Sequence, residues 1–124
     1  MHVFLFGGTT EGRKIAEAID EVNRAWAAHG DAPSCEAGEP LRLPICAEVY
    51  VATAYGASLL PAGPGITVHV GRLDAAEMTT LFENASAPLL VIDATHPYAA
   101  VVSENILSAC AATGVRCLRV EREN

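Results

Sequence analysis

The chain opens on an apolar run, His2 to Phe6, with no polar alternation, as expected of a strand buried on both faces of a parallel sheet. The period then turns helical. Ile15, Ile19, Val22 and Trp26 fall at i, i+4, i+7 and i+11, with Thr9 or Thr10 to cap, Glu11 in the first turn, and His29–Gly30 as a stop. From Gly30 to Pro44 no apolar period runs, and Gly, Pro and acids mark residues 30–44 as a surface loop insertion. A second strand is predicted over Glu48 to Thr53, followed by a turn-rich connection, "YGASLLPAGPG", with at most one helical turn. Alternation at Ile66 to Gly71 gives a third strand. Asp74 and Glu77 then make a capping-box-like start to a short helix carrying Met78, Leu81 and Phe82. Leu89 to Ala94 is the most strand-like run. After it Val102, Ile106, Ala109 and Cys110 share a helical face, Gly114 ends that helix, and Val115 to Val120 makes a fifth strand.

The order β-α-β-β-α-β-α-β predicts an α/β fold: a Rossmann-like, doubly wound, mainly parallel five-stranded sheet in three α/β/α layers. In such a sheet ligands bind beyond the carboxyl ends of the strands. Those ends are "GGTTEGR", "TAYG", "GRL" and "DATHPYA", which hold most of the unusual chemistry.

Length and composition narrow the classes. At 124 residues the chain is one domain's worth, 1–124, able to bury a single core. A net charge of −7, with only eight basic residues, argues against a nucleic-acid partner. No apolar run is long enough for a membrane span, and four cysteines without C-x-x-C spacing are expected to be reduced thiols in a cytoplasmic protein.

The loop "LFGGTTEGRK" fits neither familiar glycine fingerprint. As a P-loop it has Gly7 and Gly12 correctly spaced, but Arg13 and Lys14 replace the Lys-Ser/Thr pair, so the magnesium-binding hydroxyl is missing. As G-x-G-x-x-G it has Thr9 where the middle glycine belongs. Placed between a first strand and a first helix, Gly7, Gly8 and Gly12 let backbone N–H groups approach a pyrophosphate at the positive helix end; the alternative is a tight turn only. Thr9 and Thr10 either bond phosphate or cap the helix. The second strand ends without the acid that selects NAD, which favours NADP, with Arg13 or Arg72 to meet a 2′-phosphate. Asp93 closes a buried strand and is expected to bond Thr95 or local N–H groups. His96, before Pro97, is a turn residue aimed at the cleft, either a proton donor, a substrate contact or a backbone partner. Tyr98 either stacks on a cofactor ring or packs on the following helix. His69 reads as structural, and His2 and His29 as surface residues. No metal set converges: only Asp93 and His96 come near ligand spacing.

Two strings together, "FLFGGTTEGRKIAEAI" and "VIDATHPYAAVVSENILSAC", resemble the precorrin-6A reductase family, the NADPH-dependent reductases of cobalamin biosynthesis. The motifs "GGTTEGR", "YVATAYGASLLP", "VHVGRLD", "DATHPYA" and "CLRVER" recur in the family's order, over nearly the whole chain outside the 30–44 loop. The resemblance implies NADPH at an N-terminal half and an acidic tetrapyrrole, precorrin-6A or cobalt-precorrin-6A, between two Rossmann-like halves. Gly7, Gly8, Thr9, Thr10, Glu11, Gly12 and Arg13 then match the nucleotide loop, with Thr53, Asp93 and Thr95 also on the cofactor side. Gly71 and Arg72 line the same cleft. Arg72, His96, Pro97 and Tyr98 fall to the substrate, with His96 and Tyr98 as catalytic candidates. Family chains carry a second half, so a missing C-terminal half or self-association is expected to cover the open face. Arg72 and the C-terminal Arg116, Arg119 and Arg122 are expected to form a positive rim for the substrate carboxylates. Two rivals remain: a short-chain-type NADP-dependent dehydrogenase or epimerase, which normally shows Tyr-x-x-x-Lys whereas the only lysine here is Lys14, and an NADP-binding sensor or interaction module without turnover.

Overall fold

Why the strands order as they do follows from the connections. The computed structural model describes residues 1–28, 45–85 and 89–121. Its elements are β1 (His2–Phe6), α1 (Thr10–Ala27), β2 (Cys46–Val51), α2 (Ala54–Ser58), β3 (Ile66–Val70), α3 (Ala75–Asn84), β4 (Leu89–Asp93), α4 (Ala100–Thr113) and β5 (Arg116–Arg119). All pairings are parallel, in the order β3-β2-β1-β4-β5. The chain moves outward from β1 to β3, then α3 returns it to the far side of β1, so strand order reverses between β1 and β4. That is the switch point at which doubly wound sheets hold ligands.

Two clusters bury the sheet's faces. Val3, Leu5, Val49, Val51 and Ile92 pack with Ala16 and Ile19 of α1, and Ala57 of α2 joins them. Phe4, Phe6 and Val91 pack with Met78 and Phe82 of α3 and Ile106, Ala109 and Cys110 of α4. The three-layer arrangement expected from the sequence is therefore present, with α1 and α2 on one face and α3 and α4 on the other.

The expected strands and helices form, with ends shifted by one or two residues and the single helical turn realised as α2. Thr9, rather than Thr10, caps α1, accepting from the Gly12 N–H, and Asp74 and Glu77 complete a capping box on α3. One expectation fails within α1. Its buried face is Gly12, Ala16, Ile19 and Asn23, whereas Val22 and Trp26 are about half exposed. Small residues let the helix lie close to the sheet, and the Asn23 amide is drawn inward by backbone partners: it donates to Ile45 O and Pro64 O, both at 2.8 Å, and accepts from Ile45 N–H at 3.2 Å. The thiol expectation also fails at one position, because Cys46 is disulfide-bonded, while Cys110 and Cys117 are free. His2 is only partly exposed, with a buried Nδ1 lacking a hydrogen bond. The 30–44 loop, His29 and Arg122 lie outside the described residues.

Candidate functional site

At the carboxyl ends of β1, β2 and β3, and beyond β4, a cleft of about 780 Å³ crosses the switch point. Of the residues singled out from the sequence, Gly7, Gly8, Thr9, Thr10, Arg13, Thr53, Gly71, Arg72, Thr95, His96 and Tyr98 line it together. Glu11, Gly12, Asp93 and Pro97 are not on its wall: Gly12 and Asp93 are buried, Glu11 is half-buried and Pro97 is exposed.

Local geometry explains each placement. The first turn leaves β1 through Gly7, whose N–H donates to Tyr50 O at 2.9 Å, and Gly8 takes φ +117°, a conformation that side chains disfavour. Gly12 serves close packing: a Cβ there would meet Gly7 Cα at 3.2 Å and Ala94 Cβ at 3.5 Å. The Thr9 hydroxyl is committed to the scaffold, accepting from Gly12 N–H at 3.1 Å and donating its one proton to Ala94 O at 2.6 Å. The cap and the phosphate were alternatives for Thr9, and the hydroxyl's bonds fall to the cap. Thr53 likewise caps α2, accepting from Gly56 N–H at 3.0 Å. At this loop the Thr9 hydroxyl is thus taken up by the scaffold, while Thr10 and Arg13 line the cleft beside the backbone of Gly7 and Gly8. Arg13 Nε is buried without a hydrogen-bond acceptor, since Glu17 stands 3.5 Å away as an ion pair not aligned for a bond.

One rung near the carboxyl ends is the last to run across all five strands. His69 pairs in register with Tyr50, Tyr50 with Phe6, Phe6 with Asp93, and Asp93 with Arg119. Its first half is aromatic: Tyr50 lies between Phe6, at 5.3 Å and 18°, and His69, at 4.6 Å and 16°. His69 Nε2 bonds the Glu48 carboxylate, so this histidine is structural as expected. Tyr50, which sequence reasoning missed, lines the cleft, and burial together with the Glu48 charge raises its phenol pKa. Its signal was the strand's own alternation, which puts Glu48 and Tyr50 on one face.

The second half of the rung is polar. Asp93 is 3% exposed; its Oδ1 accepts from Thr95 N–H at 3.0 Å, Thr95 Oγ1 at 2.6 Å and Arg119 Nη1 at 2.8 Å, and its Oδ2 accepts from Ser103 Oγ at 2.7 Å. Burial pushes this carboxyl up, but the Thr95 and Ser103 hydroxyls, the Thr95 N–H and the Arg119 charge outweigh it and hold the pKa below the ordinary value. The bond to Thr95 was expected. Arg119 corrects the expected rim, since its side chain is turned into this network and does not line the cleft.

Beyond Thr95 the chain turns: His96 Nδ1 accepts from Tyr98 N–H at 3.2 Å and His96 O accepts from Ala99 N–H at 2.8 Å. A ring nitrogen that accepts is unprotonated, so the neutral imidazole carries its proton on Nε2. Tyr98 is 91% exposed and lies against His96, ring centroids 4.9 Å apart, rather than against α4. Among the described residues no three His, Cys, Asp or Glu side chains converge as metal ligands, and no helix is long and apolar enough to cross a membrane.

The family model for Precorrin-6x reductase CbiJ/CobK matches residues 42–124, from just before β2 through "DATHPYA" to the last residue of the sequence. The chain belongs to this family. It is 33% identical over 121 residues to the cobalt-precorrin-6A reductase of Salmonella typhimurium, an alignment covering 97% of this chain and 37% of that protein. To the cobalt-precorrin-6A reductase of Synechocystis sp. it is 28% identical over 120 residues, 97% of this chain and 38% of the relative. A solved CobK precorrin-6A reductase matches with a TM-score of 0.65 and 27% identity over 99% of this chain and 39% of that one. The chain thus spans less than two-fifths of the length of these CbiJ/CobK relatives. The glycine loop lies outside the family-model match, yet within the near-complete alignments to the relatives.

Proposed function

We propose that this chain is the nucleotide-binding portion of an NADPH-dependent oxidoreductase acting on CH–CH groups, reducing a double bond of the precorrin-6A or cobalt-precorrin-6A macrocycle in cobalamin biosynthesis. One observation carries the reading: a single cleft at the switch point joins the Gly7–Arg13 turn to the Thr95–Tyr98 turn. The relatives are named cobalt-precorrin-6A reductase, which supports reading the cleft as a reductase site.

The residues present fit a dinucleotide phosphate. Gly8 and the amino end of α1 offer backbone N–H groups for a pyrophosphate. Val51, Ala52 and Thr53 leave the end of β2 without an acid to bond or repel, and Arg13 and Arg72 line the wall. The buried Arg13 Nε lacks the acceptor that a phosphate oxygen supplies. NADPH, when bound, supplies the hydride. The chain's own part is to hold, orient and protonate. His96 lines the cleft with Nε2 as the ring nitrogen left to carry the proton, Tyr50 keeps a protonated hydroxyl on the wall, and Tyr98 stands at the mouth. Tyr55, Tyr98 and Val101, 75%, 91% and 70% exposed, ring that mouth with apolar surface suited to a flat macrocycle and to a covering second half or second copy.

Calorimetric titration with NADPH and NADH tests the cofactor. NADPH is expected to bind more tightly, and Arg13→Gln or Arg72→Gln to lower its affinity by roughly tenfold while leaving NADH nearly unchanged. Binding of neither nucleotide sinks the reading. NADPH binding with no reduction of precorrin-6A, even when the chain is joined to the remaining length of a relative, leaves a nucleotide-binding module without turnover.

A further inference from the structure

The polar half of the last rung contains more than Asp93 needs to be neutralised. None of Asp93, Ser103 and Arg119 lines the cleft, yet all three converge on Thr95, which does. Thr95 has one hydroxyl proton, and it goes to Asp93 Oδ1 at 2.6 Å. Arg119 Nη1 then bridges, donating to Asp93 Oδ1 at 2.8 Å and to Thr95 Oγ1 at 3.1 Å, so the hydroxyl can rotate no further without losing a bond at each end. Ser103, on the first turn of α4, holds the other carboxylate oxygen at 2.7 Å. The segment is also tied at Ala94, whose carbonyl accepts from Thr9 in the glycine loop at 2.6 Å. Three separate elements, α1's cap, α4 and β5, therefore hold the two residues that precede His96.

We infer that Arg119 and Ser103 are positioning residues: acting through Asp93 and Thr95, they set the turn 95–98 and hence the direction in which His96 offers Nε2–H. The functional meaning rests on the reading of the cleft as a reductase site; the positioning itself does not. Two features of the molecule follow. Thr95 cannot donate to a phosphate, because its proton is spent, and it meets a ligand only as an acceptor, suited to an amide or hydroxyl donor. An arginine at the sheet edge, with its side chain 29% exposed and further paired to Glu121 at 3.6 Å, controls a histidine it does not touch.

The test uses the 15N-labelled chain, with NADPH as the ligand probe and the His96 ring nitrogens and the backbone N–H groups within 95–99 (Thr95, His96, Tyr98 and Ala99) as reporters. Wild type is expected to show an unprotonated Nδ1 and a protonated Nε2. Arg119→Leu is expected to shift the 95–99 amides, mix the His96 tautomers, and weaken NADPH about three- to tenfold, the size of one hydrogen bond, while the amides of Asn23 and Ile45 at the other end of the sheet stay in place. Arg119→Lys, which keeps a cationic donor for Asp93, is expected to restore most of the wild-type pattern. Should Arg119→Leu fail to fold, Ser103→Ala, which removes one bond, is read the same way. A folded variant with unmoved His96 and 95–99 signals, or with shifts spread evenly to the far end of the sheet, overturns the inference. If the wild type binds no NADPH, the cofactor reading fails, and the His96 signals still decide the positioning.

Discussion

Gly8 and Gly12 sit four residues apart and fail in different ways when given a side chain. Gly8 has open space where a Cβ would stand but a φ of +117°, so Gly8→Ala is strained by backbone alone, at roughly 1–3 kcal/mol. Gly12 has ordinary helical backbone and no space, its Cβ position lying 3.2 Å from Gly7 Cα. Gly12→Val is therefore expected to push α1 off the turn and to abolish NADPH binding, whereas Gly8→Ala mainly lowers stability; paired urea melts and calorimetry separate the two. Asp93 supplies a pH test. Its carboxyl is held below the ordinary value, so the network's stabilisation is fully present above the unfolded-state pKa, about 4, and is lost as pH falls through the lower folded value. Wild type is expected to lose stability on acidification below about pH 4, and Asp93→Asn to be about 2–3 kcal/mol less stable at neutral pH with a flatter acid limb. An unchanged acid limb in the variant refutes the assignment. At this scale the sequence made the Asp93–Thr95 bond legible, because such pairs are local. Arg119 was not legible as Asp93's partner, since that requires the register of β4 on β5.

Elements reveal where hydropathy misleads. The buried stripe of α1 is Gly12, Ala16, Ile19 and Asn23, two small residues, one aliphatic and one amide, while the bulkier Val22 and Trp26 are about half exposed. A periodicity that weights large apolar side chains finds the helix and misses its face. Asn23 is fully buried and joins three segments at the amino end of the sheet: α1, the entry to β2, and the Pro64 turn before β3. Nearby, Arg24 pairs with Asp20 at 2.9 Å and donates to Ala62 O at 3.3 Å, but both contacts are solvent-exposed and contribute little. Asn23→Ala leaves two carbonyls and one N–H without their partner, and is expected to lower unfolding free energy by about 2–4 kcal/mol through a lower urea midpoint at unchanged slope. Arg24→Ala is expected to cost under about 1 kcal/mol. Equal effects would show that the amide is no clamp. Strand existence and order of elements were readable because apolar runs and caps are local signals; the inward amide was not, because its three partners come from distant backbone.

The whole molecule sets an electrostatic problem. On the proposed reading a chain of net charge −7 has to attract anionic ligands, and among the described residues the cationic side chains on the cleft wall are Arg13 and Arg72. Of the expected rim, Arg119 is committed to Asp93 and Arg116 does not line the cleft, so among the described residues the cleft's cations are these two. Two opposing terms then act on an anionic ligand: long-range repulsion from the net charge, and short-range attraction from the arginines. Salt screens both, but unequally, since the Debye length falls from about 30 Å at 0.01 M to a few ångströms near 1 M. In wild type the close contacts dominate, so NADPH binding is expected to weaken as salt rises. In the double variant Arg13→Gln/Arg72→Gln only the repulsion remains, so the residual binding is expected to strengthen with salt, reversing the slope of log Kd against log ionic strength. Titrations of both proteins across that range decide it. A slope of the same sign in both would mean that the ligand's charge is met elsewhere, and that the two arginines do not form the anion site of this cleft.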